Sequence, residues 1–328
     1  MVIPLDKNTL ESRQSVLYFA AMALAWLAAQ VFSETGSWVR FINPALAIML
    51  FVTFMQVPLV TLLEGLRNVR FISALLAANF IGVPLLLLLI RPLLPELPLV
   101  QFGILLVLLA PCIDYVVTFC HLGRGDAARL LACTPLLLAM QLLLLPLYLA
   151  LFLDDAAAAL ISPTPFAHAF TWLILMPLIG AGLLQKIQPR FFIAQRIVNA
   201  ASWLPVPATA LVIFLVIASV VPQLELALDS VRQALPFYLL FAVAAPCIGA
   251  LTARLFGLNT TSSRAVAFSC ATRNSLVILP LALSIPGAMP VLPAILVAQT
   301  VIEMIAESCY VRVIPRLVRN TGRNRPSV

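Results

Sequence analysis

Four ionisable residues interrupt the most apolar stretches of this chain: Asp114, Arg273, Glu303 and Glu307. An ionisable side chain in such a run is costly unless it is paired or used, and by default it marks a functional site. Asp114 sits in the segment Ala110-Pro111-Cys112-Ile113-Asp114-Tyr115, and Arg273 sits in Ser269-Cys270-Ala271-Thr272-Arg273-Asn274-Ser275, where five polar or charged residues and a cysteine share seven positions. A proline removes a backbone donor and clashes with the preceding turn. Pro111 therefore predicts an interrupted helix in the first segment and the polar run an interruption in the second, which has no proline before Pro280; freed backbone groups must face protein or a water-filled cavity. The candidate solute-binding residues are Cys112, Asp114, Arg273, Asn274 and Ser275. Cys112 offers a soft thiol suited to a thiophilic centre, with a small apolar filler as the equal alternative. Arg273 has an alternative too, a structural ion pair with Asp114 or Glu303. Glu307, one turn nearer the cytoplasm than Glu303, is expected to reach water and serve structure.

Other chemistry is thin. Cys133, Cys247, Cys270 and Cys309 read as filler, His121 as a solvated interfacial histidine and His168 as weaker still. No phosphate loop is present, which argues against ATP-driven pumping by this chain alone. No metal-ligand cluster or cofactor motif appears, and no cysteine lies in an outward loop where a disulfide would be useful. The reading is of a carrier, not an enzyme, driven by an ion gradient or facilitated.

The elements that must position these residues follow from composition. Of 328 residues 62% are hydrophobic and 10% charged, more apolar surface than a soluble core of this size hides. With a mean hydropathy of +1.07, lipid is the expected solvent. At roughly 20 residues per crossing, the chain divides into ten expected spans: 16–33, 41–62, 71–90, 99–121, 130–152, 166–185, 198–221, 235–256, 265–284 and 289–311. The first run reads as a span rather than a cleaved signal. With a cytoplasmic N-terminus, 16 of the 20 basic residues fall inside, while Arg40, Arg91 and Arg232 fall outside and Arg273 lies within a span. That asymmetry predicts both termini in the cytoplasm and a multi-pass protein of the plasma (inner) membrane. The net charge of +7 is thus topology information and no sign of nucleic acid. Five is odd, so two five-span halves, about 1–155 and 160–312 with a basic tail 312–328, would be inverted. Pro44-Ala45-Leu46-Ala47 and Pro207-Ala208-Thr209-Ala210 fall at matching places in spans two and seven. Inverted repeats place solute near the midplane, where helices break. The shared Ala-Pro-Cys-Ile at 110–113 and 245–248 falls in non-equivalent spans and reads as coincidence.

The segment Ala110 to Asp126, APCIDYVVTFCHLGRGD, resembles the fourth-helix signature of arsenite efflux permeases in the bile acid/sodium symporter superfamily. Ala271-Thr272-Arg273-Asn274-Ser275 resembles that family's Asn-rich stretch, and Val301-Ile302-Glu303 its aliphatic-aliphatic-Glu signature. The resemblance covers the whole chain. It implies an all-α integral membrane protein of ten transmembrane helices in an inverted five-plus-five repeat. Helices 1, 2, 6 and 7 would form a panel, and 3, 4, 5, 8, 9 and 10 a core in which discontinuous helices 4 and 9 cross. It assigns As(III) transport to Cys112 and expects a buried acid at Glu303. Leu276 stands where the family has a glutamate, Arg273 replaces one asparagine, and Val116-Val117 replaces the polar pair of sodium-coupled relatives. A guanidinium repels a hard cation, which needs several oxygen ligands. Sodium is therefore disfavoured, and protonation of Glu303 or Asp114 becomes the coupling event. The expected function is proton-coupled efflux of arsenite, with antimonite as a further cargo. The alternative is a carrier of a small organic anion that pairs with Arg273.

Overall fold

The computed structural model describes residues 13–32, 34–56, 68–113, 115–153 and 170–319, with isolated positions 10, 164, 167 and 168. Asp114, the expected link between repeats around 155–160 and most of the basic tail lie outside the described residues.

The described chain is an all-α integral membrane protein. In order the helices are α1 (Gln14–Val31), α2 (Val39–Gln56), α3 (Val69–Ala77), α4 (Val83–Ile90), α5 (Pro98–Leu108), α6 (Val116–Leu122), α7 (Ala127–Phe152), α8 (Met176–Ile187), α9 (Phe192–Ala201), α10 (Pro205–Val220), α11 (Leu224–Leu255), α12 (Thr260–Ala271), α13 (Ser275–Leu283) and α14 (Val291–Leu317). π-helical turns at Ala78–Gly82 and Phe170–Leu175 join α3 to α4 and lead into α8. Among the described residues eight helical stretches are long and apolar enough to cross a bilayer. They fall at expected spans one, two, three, five, six, seven, eight and ten. Expected spans four and nine are each divided, into α5 and α6 and into α12 and α13.

Three differences from the sequence reading concern boundaries. α11 starts at Leu224, eleven residues before the expected start of span eight at 235, so Glu225, Asp229 and Arg232 lie in a helix rather than in an outward loop. Span seven starts at Pro205, because residues 192–201 form the separate helix α9. Phe192, Ile193 and Ile197 are exposed on α9, and the Arg196 guanidinium lies 5.3 Å from the Phe192 ring centroid. The last helix continues to Leu317, a turn and a half beyond the expected end.

The chain forms two compact units. The first comprises Met1–Leu59, Ala159–Gln233 and Ser275–Ala298. It holds the spans expected in the panel, joined by α13 and the start of α14. Its core includes Leu46, Met49, Leu50 and Phe54 of α2 and Val212 and Val216 of α10, all buried. Trp38 stacks on Phe214 with centroids 5.9 Å apart. The last carbonyls of α2 lack intrahelical donors; Gln185 Nε2 donates to those of Phe54 and Met55 at 3.0 and 3.1 Å.

The second unit comprises Val60–Ala158, Ala234–Asn274 and Gln299–Val328, and it contains both interruptions. Side-chain caps start three of its helices: Asn68 accepts from Phe71 N–H (3.0 Å), Asp126 from Arg129 N–H (3.1 Å) and Asn259 from Ser262 N–H (2.9 Å). These satisfy first-turn donors that the helices cannot. Gly249 lets α11 approach α12 closely: a β-carbon there would sit 2.7 Å from Ala267 Cα. Outward faces carry Leu85, Leu89, Leu143, Leu147, Leu151 and Val243, all exposed as lipid-facing side chains are.

Candidate functional site

α5 ends at Leu108 and the chain turns through Leu109 and Ala110 into extended backbone at Pro111. α12 ends at Ala271 and Thr272 is likewise extended. The two segments pair antiparallel at Pro111 and Arg273. Cys112 N–H donates to the Thr272 carbonyl at 3.1 Å, and Asn274 N–H donates to the Ala110 carbonyl at 2.8 Å. Each break thus supplies the other's missing backbone partners, which is how broken helices survive at membrane depth. The identical Ala-Pro-Cys-Ile at 245–248 has no such partner strand and stays helical within α11, with Pro246 inside it.

Arg273 is fully buried, and its guanidinium folds back onto helix ends. Nη2 donates to the carbonyls of Cys270 (2.7 Å) and Ser269 (3.0 Å) and to Asn79 Oδ1 (2.8 Å), while Nη1 reaches the Leu108 carbonyl at 3.3 Å. In an unbroken helix the Ser269 and Cys270 carbonyls would accept from residues 273 and 274. Those N–H groups are committed elsewhere, so the guanidinium takes over. Leu108 closes α5, so one cation caps the carboxyl ends of two half-helices, where the helix dipoles favour positive charge. The guanidinium carbon also lies 5.2 Å from the Phe241 ring centroid. All its hydrogen-bond acceptors are neutral, and among the described residues no carboxylate oxygen approaches it within 4 Å.

Asn79 comes from the π-helical turn of expected span three. Its Nδ2 donates to the Leu75 carbonyl at 3.0 Å and to Ser269 Oγ at 3.1 Å. The same turn offers the Ala78 carbonyl to the Cys270 thiol at 3.7 Å and the Phe80 carbonyl to the Tyr148 hydroxyl. An extra residue per turn loosens the i to i−4 ladder, and here the loosened carbonyls meet side chains.

Glu303 projects from α14 onto the crossing. Its Oε2 accepts from Arg273 N–H at 2.8 Å and from Gln299 Nε2 at 2.5 Å, and its Oε1 meets the Tyr115 hydroxyl. That hydroxyl also faces the Arg273 carbonyl at 3.0 Å. One hydroxyl proton serves one acceptor. Both oxygens are satisfied together when the Glu303 carboxyl carries a proton, donates it to Tyr115, and Tyr115 donates to the carbonyl. A cavity of about 10 Å³, near the minimum that holds one water, borders Glu303 and is lined also by Tyr238, Phe241, Gln299 and Tyr310. The Tyr238 hydroxyl and Gln299 Oε1 are buried there without another hydrogen-bond partner among the described residues.

Of the residues singled out from sequence, Cys112, Arg273, Asn274 and Glu303 meet at the crossing, and all four are buried. Ser275 is buried as the first residue of α13, which groups with the first unit. Asp114 lies outside the described residues. Glu307 departs from expectation: it is 0% exposed, because its Oε1 is held by the Thr272 hydroxyl at the end of α12. An ion pair of Arg273 with Glu303 is replaced by a bond from the Arg273 main chain. Sequence reasoning passed over Asn79, Tyr115 and Gln299. An amide alone in the apolar run of span three was the available signal for Asn79, and the four-residue spacing to Glu303 was that for Gln299. Cys247 and Cys309 face outward rather than filling the core, and His121 is exposed.

The loop at Gly123-Arg124-Gly125-Asp126 is tied to α12. Asp126 N–H donates to the Thr261 carbonyl at 3.1 Å, Arg264 Nη1 to that of Arg124 at 3.3 Å, and Arg129 Nη1 to Ser262 Oγ at 2.7 Å. Arg124 is the turning point, at φ 59°.

Compared with known proteins, residues 43–225 match the profile of the sodium bile acid symporter family. No curated protein matches the chain.

Proposed function

The chain belongs to the sodium bile acid symporter family, whose members are membrane transporters, and on that premise we propose that it is a proton-coupled exporter of arsenite, with antimonite as a further cargo. The carrying observation is the engagement of both terminal nitrogens of Arg273 by neutral acceptors, which leaves only the buried Nε without a hydrogen-bond partner among the described residues. An organic-anion carrier needs a free cation for the substrate's carboxylate, yet this guanidinium is engaged by Asn79 and three carbonyls and capped by Phe241. Neutral arsenous acid needs no counter-charge. It needs a thiol or polar groups, and Cys112 stands at the crossing. Recognition would exchange one arsenic–oxygen bond for a sulfur–arsenic bond, the thiol proton leaving with the released hydroxide as water. The exchange is redox-neutral.

Coupling follows from the same geometry. Carboxyl ends of half-helices commonly hold the driving cation in carriers with broken helices; here a fixed guanidinium occupies that role, so sodium has no place to act. A proton on Glu303, exchanged through the water-sized cavity at Tyr238 and Gln299, supplies the gradient. Cys112 is closed off in the conformation described, so transport requires a second state that opens the crossing. Both termini on the cytoplasmic side of the plasma membrane and an inverted five-plus-five repeat complete the reading. Arsenite content of cells with and without the gene tests it: the expressing cells hold less arsenite, and equal content refutes export.

A further inference from the structure

Glu307 lies one helical turn beyond Glu303 on α14 and is as deeply buried. Its Oε1 meets the Thr272 hydroxyl, and its Oε2 is buried with no hydrogen-bond partner among the described residues. The Thr272 hydroxyl also faces the Phe268 carbonyl, at 2.8 Å. With one hydroxyl proton available, both contacts are bonded when the carboxyl is the donor to Thr272. No basic nitrogen lies within 4 Å of Glu307 among the described residues. Among the described residues the titratable groups that interact with it are Glu303 and Tyr310 on its own helix and Cys120 on α6, none of them a cation; the Arg273 guanidinium, next in sequence to Thr272, is turned toward Asn79 and the ends of α5 and α12. A lone carboxylate with one bare oxygen is far more costly there than the neutral acid.

Thr272 joins this acid to the crossing. Its hydroxyl engages Glu307, and its carbonyl accepts from Cys112 N–H at 3.1 Å. The next residue, Arg273, bonds Glu303 through its own N–H. Two carboxyls thus grip successive residues of the segment that lies against Cys112.

We propose that Glu307 is a second proton-binding site of this carrier, linked through Thr272 to the peptide of Cys112, so that a solute at Cys112 and a proton on Glu307 exclude one another. The proposal rests on the proton-coupled reading above and raises the exchange to two protons per solute. Linkage requires the effect to be reciprocal: protonation of Glu307 weakens solute binding by the factor by which solute weakens its proton.

The full chain in proteoliposomes, with arsenite as probe and the membrane potential clamped at zero, gives the test. Each coupled proton sets a limiting arsenite ratio of about tenfold per pH unit of gradient. The wild type is expected to reach about a hundredfold, and Glu307→Gln about tenfold. The infrared carbonyl stretch of a protonated carboxyl, present in the wild type, loses one component in Glu307→Gln and shifts in Thr272→Val, a readout that needs no transport. An E307Q ratio equal to that of a pH-responsive wild type overturns the proposal, as does a carboxyl band unchanged by both substitutions. A wild-type ratio that ignores the pH gradient while arsenite still exchanges fails the proton-coupled reading itself, and this proposal with it.

Discussion

The main-chain N–H of Arg273 donates to Glu303 Oε2 at 2.8 Å, while the Arg273 guanidinium turns the other way, toward Asn79 and the ends of α5 and α12. One residue therefore separates two tasks. Its backbone bonds a buried acid, and its side chain holds two broken helices by their carboxyl ends.

Glu303→Gln keeps an oxygen for the Arg273 N–H and offers a permanent donor to Tyr115. It is expected to melt close to the wild type and to lose proton-driven arsenite movement. Glu303→Ala leaves two buried donors, the Arg273 N–H and Gln299 Nε2, unpaired and is expected to cost about 1–3 kcal/mol for each, read as a lower unfolding midpoint in detergent.

Removing the guanidinium strands four oxygens around a buried gap. Arg273→Ala is expected to destabilise by several kcal/mol, at about 1–3 kcal/mol for each buried oxygen left unsatisfied, and Arg273→Lys rescues little, because a point charge cannot serve Leu108, Asn79 and two further carbonyls at once. Replacing sodium by potassium in the transport buffer is expected to leave wild-type flux unchanged.

Packing of α11 on α12 has its own test. A β-carbon at Gly249 would lie 2.7 Å from Ala267 Cα and 2.9 Å from the Val266 carbonyl oxygen, both main-chain atoms that cannot step aside. Gly249→Ala is expected to cost about 1–3 kcal/mol. Gly180→Ala is the control, since its nearest neighbour is a Phe51 ring atom at 3.4 Å; in a helix interior it gains up to about 1 kcal/mol.

The interruptions were legible in sequence because Pro111 and the polar run at 269–275 conflict with an apolar helix wherever they occur. Their pairing was not, since nothing local states that Cys112 N–H will find the Thr272 carbonyl. Arg273 was visible as a buried charge, but its partners are backbone carbonyls, which carry no residue signature. Glu307 was misjudged by distance along the chain, although four residues after Glu303 it shares a helix face with it. Asn79 owes its place to a π-helical turn, and a single extra residue per turn leaves no mark in hydropathy.

Asp126 caps α7 through Arg129 N–H and pairs with the Arg129 side chain at 3.1 Å. Asp126→Asn keeps the cap and is expected to be near neutral, because the ion pair is partly solvated. Asp126→Ala loses the cap, for about 1 kcal/mol in unfolding free energy.

The most direct measurement is arsenite accumulation in an arsenite-sensitive host carrying Cys112→Ser, with Cys133→Ser as the matched control and protein levels equalised by immunoblot. Cells with the Cys112 variant are expected to accumulate arsenite as the empty host does, while the control stays as low as the wild type. Accumulation in the Cys112 variant as low as in the wild type would contradict the assignment of the solute to this crossing.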